Sequence, residues 1–481
     1  MKDQFKKNTL HGISWSAGSQ GIKLIMNLVI TSILARLLLP EDYGLIGMIT
    51  IATGFLLVLK DFGFGAALVQ KKDVEEIEYA SVFWLNVFMG VFLAIIVFLS
   101  APLIASFYNE PQLIPLTKYM SLGFILNSII VVPNNILYKK IQFKNLFILD
   151  NSSLLIGGVV GIIFAYNGWA YWSLVAQSIT NQLVTLIVVF YLSRWKPSMQ
   201  FSRQALSGFT SFSLPLITDS SINYWVRNLD NLLIGKYLGK SDLGYYSKAY
   251  NLMLLPVRQL SGTIKKVMFP SFSLIQNDIK RLASVYLKIS AVIAFITFPL
   301  MAIMFVTSEH IILFLFGENW NACIPIFRVL CILGAFQSIA TLSGNIYLAQ
   351  GKTKLMLYVG LFTRSVMIAS MVIGLFTGGL MGLVYGYVLS SSFMVFIEWY
   401  FVAKIINLNL MDIIRNLFPY FIFSSIMLVF LHTLKNNITL NTHLINLIFL
   451  SFAGAVIYLI LTVFFKPKAY KELLILYKER R

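Results

Sequence analysis

The chain has 481 residues, 58% hydrophobic and 12% charged, with 38 Lys and Arg against 20 Asp and Glu and a formal net charge of +18. So little charge on so apolar a chain, with a mean hydropathy of +0.78, excludes an ordinary soluble globular protein and leaves no stretch for a separate soluble catalytic domain. Nor is the basic excess a nucleic-acid footprint, because its residues do not gather on one solvated face.

Lys2, Lys6 and Lys7 precede an apolar stretch from about Gly12 to Leu39. It is too long for a signal-peptide core and lacks a clear small-residue cleavage site, so the first helix is expected to stay. Apolar runs between polar or Gly/Pro breaks predict fourteen spans near 12–38, 43–69, 79–101, 113–137, 147–166, 169–193, 206–238, 242–266, 283–305, 322–348, 355–376, 379–403, 416–434 and 443–465. A transmembrane helix needs roughly 20 such residues. The Lys and Arg residues gather in every second connection, whereas the others, with the span ends beside them, hold only Arg36, Lys236, Lys240 and Lys435. Cytoplasmic loops carry that excess, so both termini are expected in the cytoplasm. The fold expected is an all-α polytopic membrane protein with about fourteen transmembrane helices. Spans one to six form an N-lobe over 1–203, spans seven to twelve a C-lobe over 204–405, and a helix pair with a basic cytoplasmic tail covers 406–481. Helical spans point to an inner membrane, since outer-membrane proteins are normally barrels.

An internal repeat supports two lobes. Ala-Arg-Leu-Leu-Leu-Pro-Glu-Asp-Tyr-Gly-Leu at 35–45 returns 200 residues later as Gly-Lys-Tyr-Leu-Gly-Lys-Ser-Asp-Leu-Gly-Tyr, aligning Arg36, Asp42 and Gly44 with Lys236, Asp242 and Gly244. At an offset of 210, Pro115, Lys118, Ser121, Ser128 and Asn135 pair with Pro325, Arg328, Cys331, Ser338 and Asn345. Six spans separate the copies, so both enter the membrane from the same side, as in a parallel repeat.

The candidate site residues are the charges held inside spans. Ser16, Gln20, Lys23, Asn27 and Thr31 form one helical stripe in the first span; the seventh carries Asp219, Ser220, Asn223, Arg227 and Asp230. Lys23 has no acidic residue within one turn, while Arg227 has Asp230 three residues on. Arg258 and Arg364 also sit deep in their spans, and Lys118 and Arg328 lie nearer the outer ends, where snorkelling is an even alternative. Asp150 and Glu398 read as interfacial. Ser128, Asn135, Ser338 and Asn345 read first as helix-packing residues. A charge at the bilayer centre costs roughly 3 kcal/mol, so these cations are expected to face protein, water or cargo. Guanidinium and ammonium groups suit phosphate; a carrier of cationic drugs would be expected to place carboxylates there instead. Cys323 and Cys331 read as packing residues, and the four histidines, scattered in sequence, lack metal-ligand spacing. Gly235-Lys-Tyr-Leu-Gly-Lys-Ser241 and Gly351-Lys-Thr353 lack the spacing and context of a phosphate-binding loop.

Several blocks resemble one family: Gly12-Ile-Ser-Trp-Ser-Ala-Gly18, the Ala35–Leu45 segment, Asp61-Phe-Gly-Phe-Gly-Ala-Ala-Leu-Val-Gln70, Asn228-Leu-Asp-Asn-Leu-Leu-Ile-Gly235 and Leu243-Gly-Tyr-Tyr246. They are similar to the polysaccharide transporters, or Wzx-type flippases, of the multidrug/oligosaccharidyl-lipid/polysaccharide (MOP) exporter superfamily, nearest the branch for colanic acid, lipopolysaccharide or teichuronic acid export. That resemblance implies a bacterial inner-membrane flippase, not an enzyme, with two six-helix lobes around a central cavity. It implies that a polyprenyl-pyrophosphate-linked oligosaccharide moves from the cytoplasmic to the outer leaflet by alternating access. The expected substrate contacts are then Lys23, Arg227, Arg258, Arg364, Lys118 and Arg328, with Gln20, Asn27 and Asn223 as polar partners for the sugar. No catalytic residue, metal or cofactor is expected; coupling to a proton or sodium gradient would fall to Asp219 and Asp230. The partners expected are the lipid-linked glycan, the bilayer, and a polysaccharide polymerase with chain-length machinery, and no nucleic acid. The alternatives are a cation-coupled multidrug exporter of the same superfamily and, further off, an integral-membrane polysaccharide polymerase or ligase.

Overall fold

The computed structural model describes the backbone of residues 2–59, 64, 68–69, 71, 73–204, 206, 221, 224–225, 227–438 and 440–472, and their side chains from Gln20 onward apart from 58–59, 260–267 and 269–270. Among these residues there is no strand. Hydrocarbon offers no partner to a peptide group, and a helix satisfies its own.

In chain order the helices are α1 (Lys2–Leu37), α2 (Pro40–Leu59), α3 (Glu76–Tyr108), α4 (Leu113–Lys139), α5 (Phe143–Tyr166), α6 (Trp172–Ser193), α7 (Lys240–Leu274), α8 (Ile279–Val306), α9 (Ser308–Leu315), α10 (Cys323–Ala349), α11 (Thr353–Ile405), α12 (Leu410–Asn437) and α13 (His443–Phe465). Among the described residues, 10 of them are long and apolar enough to cross a membrane. The 53-residue α11 bends at Gly378 and Gly379, whose backbone leaves helical geometry. A Cβ on Gly374 would stand 2.1 Å from the carbonyl oxygen of Gly382, and one on Gly386 would stand 2.4 Å from that of Ser370. The two arms therefore run antiparallel, and α11 supplies both the eleventh and twelfth spans. Parts of the second and seventh spans lie outside the described residues.

By packing, the described chain divides into Met1–Gly244 and Tyr245–Arg481. In the first unit Tyr224 donates its hydroxyl to the carbonyls of Thr50 and Ile51 in α2 at 3.0 and 2.9 Å, and Phe55 packs on the Trp225 ring.

Within the first unit the repeated segment explains itself. Pro40 opens α2 where its missing N–H costs nothing, and the Asp42 carboxylate accepts the Leu39 N–H at 2.9 Å. A Cβ on Gly44 would fall 1.8 Å from the carbonyl oxygen of Lys240, and one on Gly244 would fall 2.0 Å from that of Pro40. Pro40 and Lys240, like Gly44 and Gly244, are equivalent positions of the repeat, so the two copies cross start to start and each glycine admits the other copy's backbone. The Lys240 ammonium lies 3.2 Å from Glu110 and 3.8 Å from Glu41, closing the crossing. Elsewhere α4 seats Ser128 on Gly90 of α3, and Gly157 and Gly161 of α5 admit α6.

The second unit is built around α8. Thr297 and Ser338 exchange a hydroxyl hydrogen bond at 2.9 Å between α8 and α10, and Asn416 of α12 donates to the Leu287 carbonyl at 2.8 Å. Tyr286, Ile339, Leu342, Trp399, Val402 and Tyr420 are buried together around these links. Cys323 and Cys331 are free and buried. The short helix α9 meets α12 and α13 through two polar contacts: Lys435 pairs with Glu309 at 2.7 Å, and His310 Nδ1 lies 3.2 Å from His443 Nδ1. Two of the histidines that look scattered in sequence thus meet in space. Among the described residues, no three His, Cys, Asp or Glu side chains converge as a metal site would require.

Gly44→Ala or Gly244→Ala must displace a backbone carbonyl, more than the 1–3 kcal/mol of ordinary overpacking; each is expected to lower stability by about 3 kcal/mol or more. Gly344→Ala, where the nearest atom is a methionine methyl at 3.9 Å, is expected to lose nothing; thermal unfolding of the purified protein separates them. Burial holds the His310 imidazole below its ordinary value of 6.5, with Lys435 adding to the effect. The folded state keeps it neutral, so the unfolded chain binds the proton first and stability falls as pH drops below about 6.5. The hydrogen bond from Lys435 holds Glu309 below the usual carboxylate range, and its contribution is lost only at more acid pH. Melting temperatures at about pH 7.5 and 5.5 are therefore expected to differ less in His310→Gln than in the parent.

Candidate functional site

Within the first unit α5 carries small residues where α1 crosses it. Ile30 rests on Gly158, whose absent Cβ would stand 2.4 Å from the Ile30 Cδ1. Lys23 precedes Ile30 by seven residues and Asp150 precedes Gly158 by eight, and residues so spaced share a helix face. The register that seats Ile30 on Gly158 therefore sets Lys23 opposite Asp150. Their charged groups are 3.0 Å apart, with 47% of the Lys23 side chain and 42% of the Asp150 side chain exposed.

Asp150, read from sequence as interfacial, is thus the carboxylate that Lys23 lacks within its own helical turn. No local spacing rule could have found it, because 127 residues separate the two; the one clue was the Gly157-Gly158 pair. The contact offsets part of the cost of an ammonium in a span. An ammonium carries three donors and Asp150 engages one, so a half-exposed Lys23 retains donors for a second acceptor. Gln20 and Asn27, about one turn to either side, are exposed on the same helix.

The other expected residues separate by environment. Arg227 is exposed on the helical residues 227–237 of the first unit. Asp230 is buried, and its carboxylate accepts the N–H of Asn231 at 2.8 Å. Asp219 and Asn223 lie outside the described residues. Lys118 in α4 stands 5.0 Å over the Phe98 ring. In the second unit Arg328 donates from Nε to the Ser308 hydroxyl at 3.1 Å, and Arg364 on one arm of α11 lies within electrostatic reach of Glu398 on the other. Arg258 is exposed on α7. Lys118 and Arg328 thus contact neighbours of their own unit, while Lys23, Arg227 and Arg258 are exposed.

A polar cluster that the sequence did not announce joins three helices of the second unit. The Tyr250 and Tyr387 hydroxyls lie 3.3 Å apart, Gln337 donates to Tyr387 at 3.2 Å, and the Tyr250 ring stacks on Tyr246. Only the abundance of tyrosine in Leu243-Gly-Tyr-Tyr246 hinted at it. As chemistry, the two units offer exposed cations for an anion and hydroxyl and amide groups for hydrogen bonding.

The family model described as Polysaccharide biosynthesis protein matches residues 33–325. The chain is 28% identical over 410 residues to the Lipopolysaccharide biosynthesis protein WzxC of Escherichia coli (strain K12), covering 83% of this chain and 82% of that one. It is 27% identical over 423 residues to the Teichuronic acid biosynthesis protein TuaB of Bacillus subtilis (strain 168), covering 88% of each. Among solved structures it is similar to the lipid II flippase MurJ in an inward closed conformation, with a TM-score of 0.73 at 16% identity over 95% of this chain and 99% of that one. That likeness is one of fold, and the fold is the MOP type that the sequence blocks implied. With the matched segment running from the end of α1 into the start of α10, this multi-pass helical membrane protein belongs to the polysaccharide biosynthesis protein family.

Proposed function

We propose that the protein is a flippase that turns a polyprenyl-pyrophosphate-linked oligosaccharide from the cytoplasmic to the outer leaflet of a bacterial inner membrane by alternating access. The observation that carries this reading is the half-exposed Lys23 ammonium inside a span, held by one carboxylate. A pyrophosphate crossing a bilayer needs cations to replace water, and a cation waiting in a bilayer needs a counter-charge. Asp150 supplies it while the site is empty, the pyrophosphate competes for the same ammonium, and the return of Lys23 to Asp150 favours release. In the same unit Arg227 is exposed, and Gln20 and Asn27 beside Lys23 offer amides to the sugar. The prenyl chain stays in lipid.

Relatives named for lipopolysaccharide and teichuronic acid biosynthesis, and a fold shared with a protein named as a lipid II flippase, support this cargo. Both termini face the cytoplasm in this proposal, as the Lys/Arg distribution requires. A proton or sodium gradient drives the cycle through Asp219 and Asp230, and a polymerase with chain-length machinery takes up the glycan on the far side.

The test is transbilayer movement of a fluorescent polyprenyl-pyrophosphate oligosaccharide in proteoliposomes, read with a membrane-impermeant quencher. A charge-assisted phosphate contact is worth about 1.5–3 kcal/mol, so Lys23→Ala is expected to slow movement about tenfold to a hundredfold, and Lys23→Arg far less. Asp150→Asn is expected to bind cargo more tightly and turn over more slowly. Equal rates in the parent and Lys23→Ala would remove the cation from the mechanism. Uptake of cationic dyes with no glycan movement would replace the proposal by the drug-exporter reading.

A further inference from the structure

A cavity of about 210 Å3 opens in the second unit between α8, α12 and the residues that follow α13. The chain leaves α13 at Phe465, turns through Lys466 in the left-handed region (φ 44) and resumes a helical turn at Lys468. The Tyr420 hydroxyl of α12 accepts the N–H of Ala469 at 2.9 Å, and Ala469 is only 1% exposed. This anchor pins the turn against α12 and sets Lys468 and Lys471 on the cavity wall, where Lys288 of α8 also stands. Asn416, held by the Leu287 carbonyl and the Ser290 hydroxyl, and Ser284 complete the polar lining.

Three lysines thus line one small cavity against a single acidic residue, Glu472, which pairs with Lys288 at 2.8 Å. Like charges gathered on an anchored backbone repel, and an anion among them relieves the repulsion. The cavity is smaller than the roughly 300–1,000 Å3 pockets that enclose a drug-sized ligand, so it fits a headgroup rather than an oligosaccharide or a whole lipid. Its position agrees. The cavity sits where α8 and α12 begin and α13 ends, the boundary of a membrane, and Phe464 and Phe465 just before the lysines are 79% and 60% exposed, leaving apolar surface for acyl chains. On the topology expected from the Lys/Arg distribution this boundary is the cytoplasmic one, where basic pockets between helices meet anionic lipids.

We propose that this cavity binds the phosphate headgroup of an anionic bilayer phospholipid, a structural lipid distinct from any transported cargo. Lys468 and Lys471 hold the phosphodiester, Lys288 is shared between it and Glu472, and the site ties the segment after α13 to α8 and α12. The inference stands whether or not the flippase reading does, because it concerns retention of a lipid and not its movement.

The experiment is native mass spectrometry of the full chain, released from detergent containing equimolar phosphatidylglycerol and phosphatidylcholine. The parent is expected to retain one phosphatidylglycerol. At about 1 kcal/mol for each lysine near an anionic headgroup, Lys288→Ala/Lys468→Ala/Lys471→Ala is expected to weaken retention on the order of a hundredfold. The Lys→Arg triple and a control triple, Lys352→Ala/Lys354→Ala/Lys404→Ala, are expected to keep it. Should the alanine triple fail to fold, Lys471→Glu at its exposed position reads the same property and is expected to cost about tenfold. Equal retention of phosphatidylcholine, unchanged retention in the alanine triple or in Lys471→Glu, or the same loss in the control triple would overturn the proposal. So would displacement of phosphatidylglycerol by equimolar farnesyl pyrophosphate, which would give the cavity to the isoprenoid cargo instead.

Discussion

Helices in a bilayer gain nothing from hiding apolar surface against each other, because the lipid around them is as apolar as they are. Close approach has to supply the attraction, and in this protein glycine sets how close. The crossing of α2 with the start of α7, the seating of α1 on α5, the Ser128 contact between α3 and α4 and the two arms of α11 all occur where a Cβ would collide with a neighbour. The functional geometry inherits this constraint. Lys23 reaches Asp150 only because Gly158 lets α1 settle in one register, so a methyl group at Gly158 would disturb an ion pair two turns away without touching either charge.

Lysine serves in three different settings. Lys240 lies between Glu110 and Glu41 with only 22% of its side chain exposed, a compact charge that fastens one crossing. Lys23 has one carboxylate and an open side, the condition for exchanging partners. Lys288, Lys468 and Lys471 outnumber their carboxylate, the condition for recruiting an anion. An ammonium is a point charge without directional demands, so what distinguishes the three is the ratio of carboxylate to cation around each, which the helices set.

The helices were readable because the bilayer imposes length and apolarity together. The span expected at 443–465 coincides with α13, and that expected at 113–137 ends within α4. The repeat was readable too, and its aligned positions have mechanical reasons: Asp42 holds the start of α2, and Gly44 and Gly244 admit each other's backbones. The ion and hydrogen-bond partners across helices were not readable. Lys23 and Asp150, His310 and His443, and Lys435 and Glu309 are each separated by more than 120 residues, far beyond the i+3 and i+4 spacing on which helical reasoning rests. Tyr250, Gln337 and Tyr387 come from three helices and share no pattern at all. The short helix α9 was invisible because eight residues are too few to show a period.

The turn of α11 makes one helix into a hairpin. At 1.5 Å per residue, 53 helical residues would extend about 80 Å, more than twice the roughly 30 Å of hydrocarbon, so the chain must reverse, and it does so within Gly378 and Gly379. Two glycines leave no polar loop between the arms. A turn this short keeps the two arms side by side along their length, with facing glycines in contact. Any larger side chain along that seam would pry the hairpin open from its closed end.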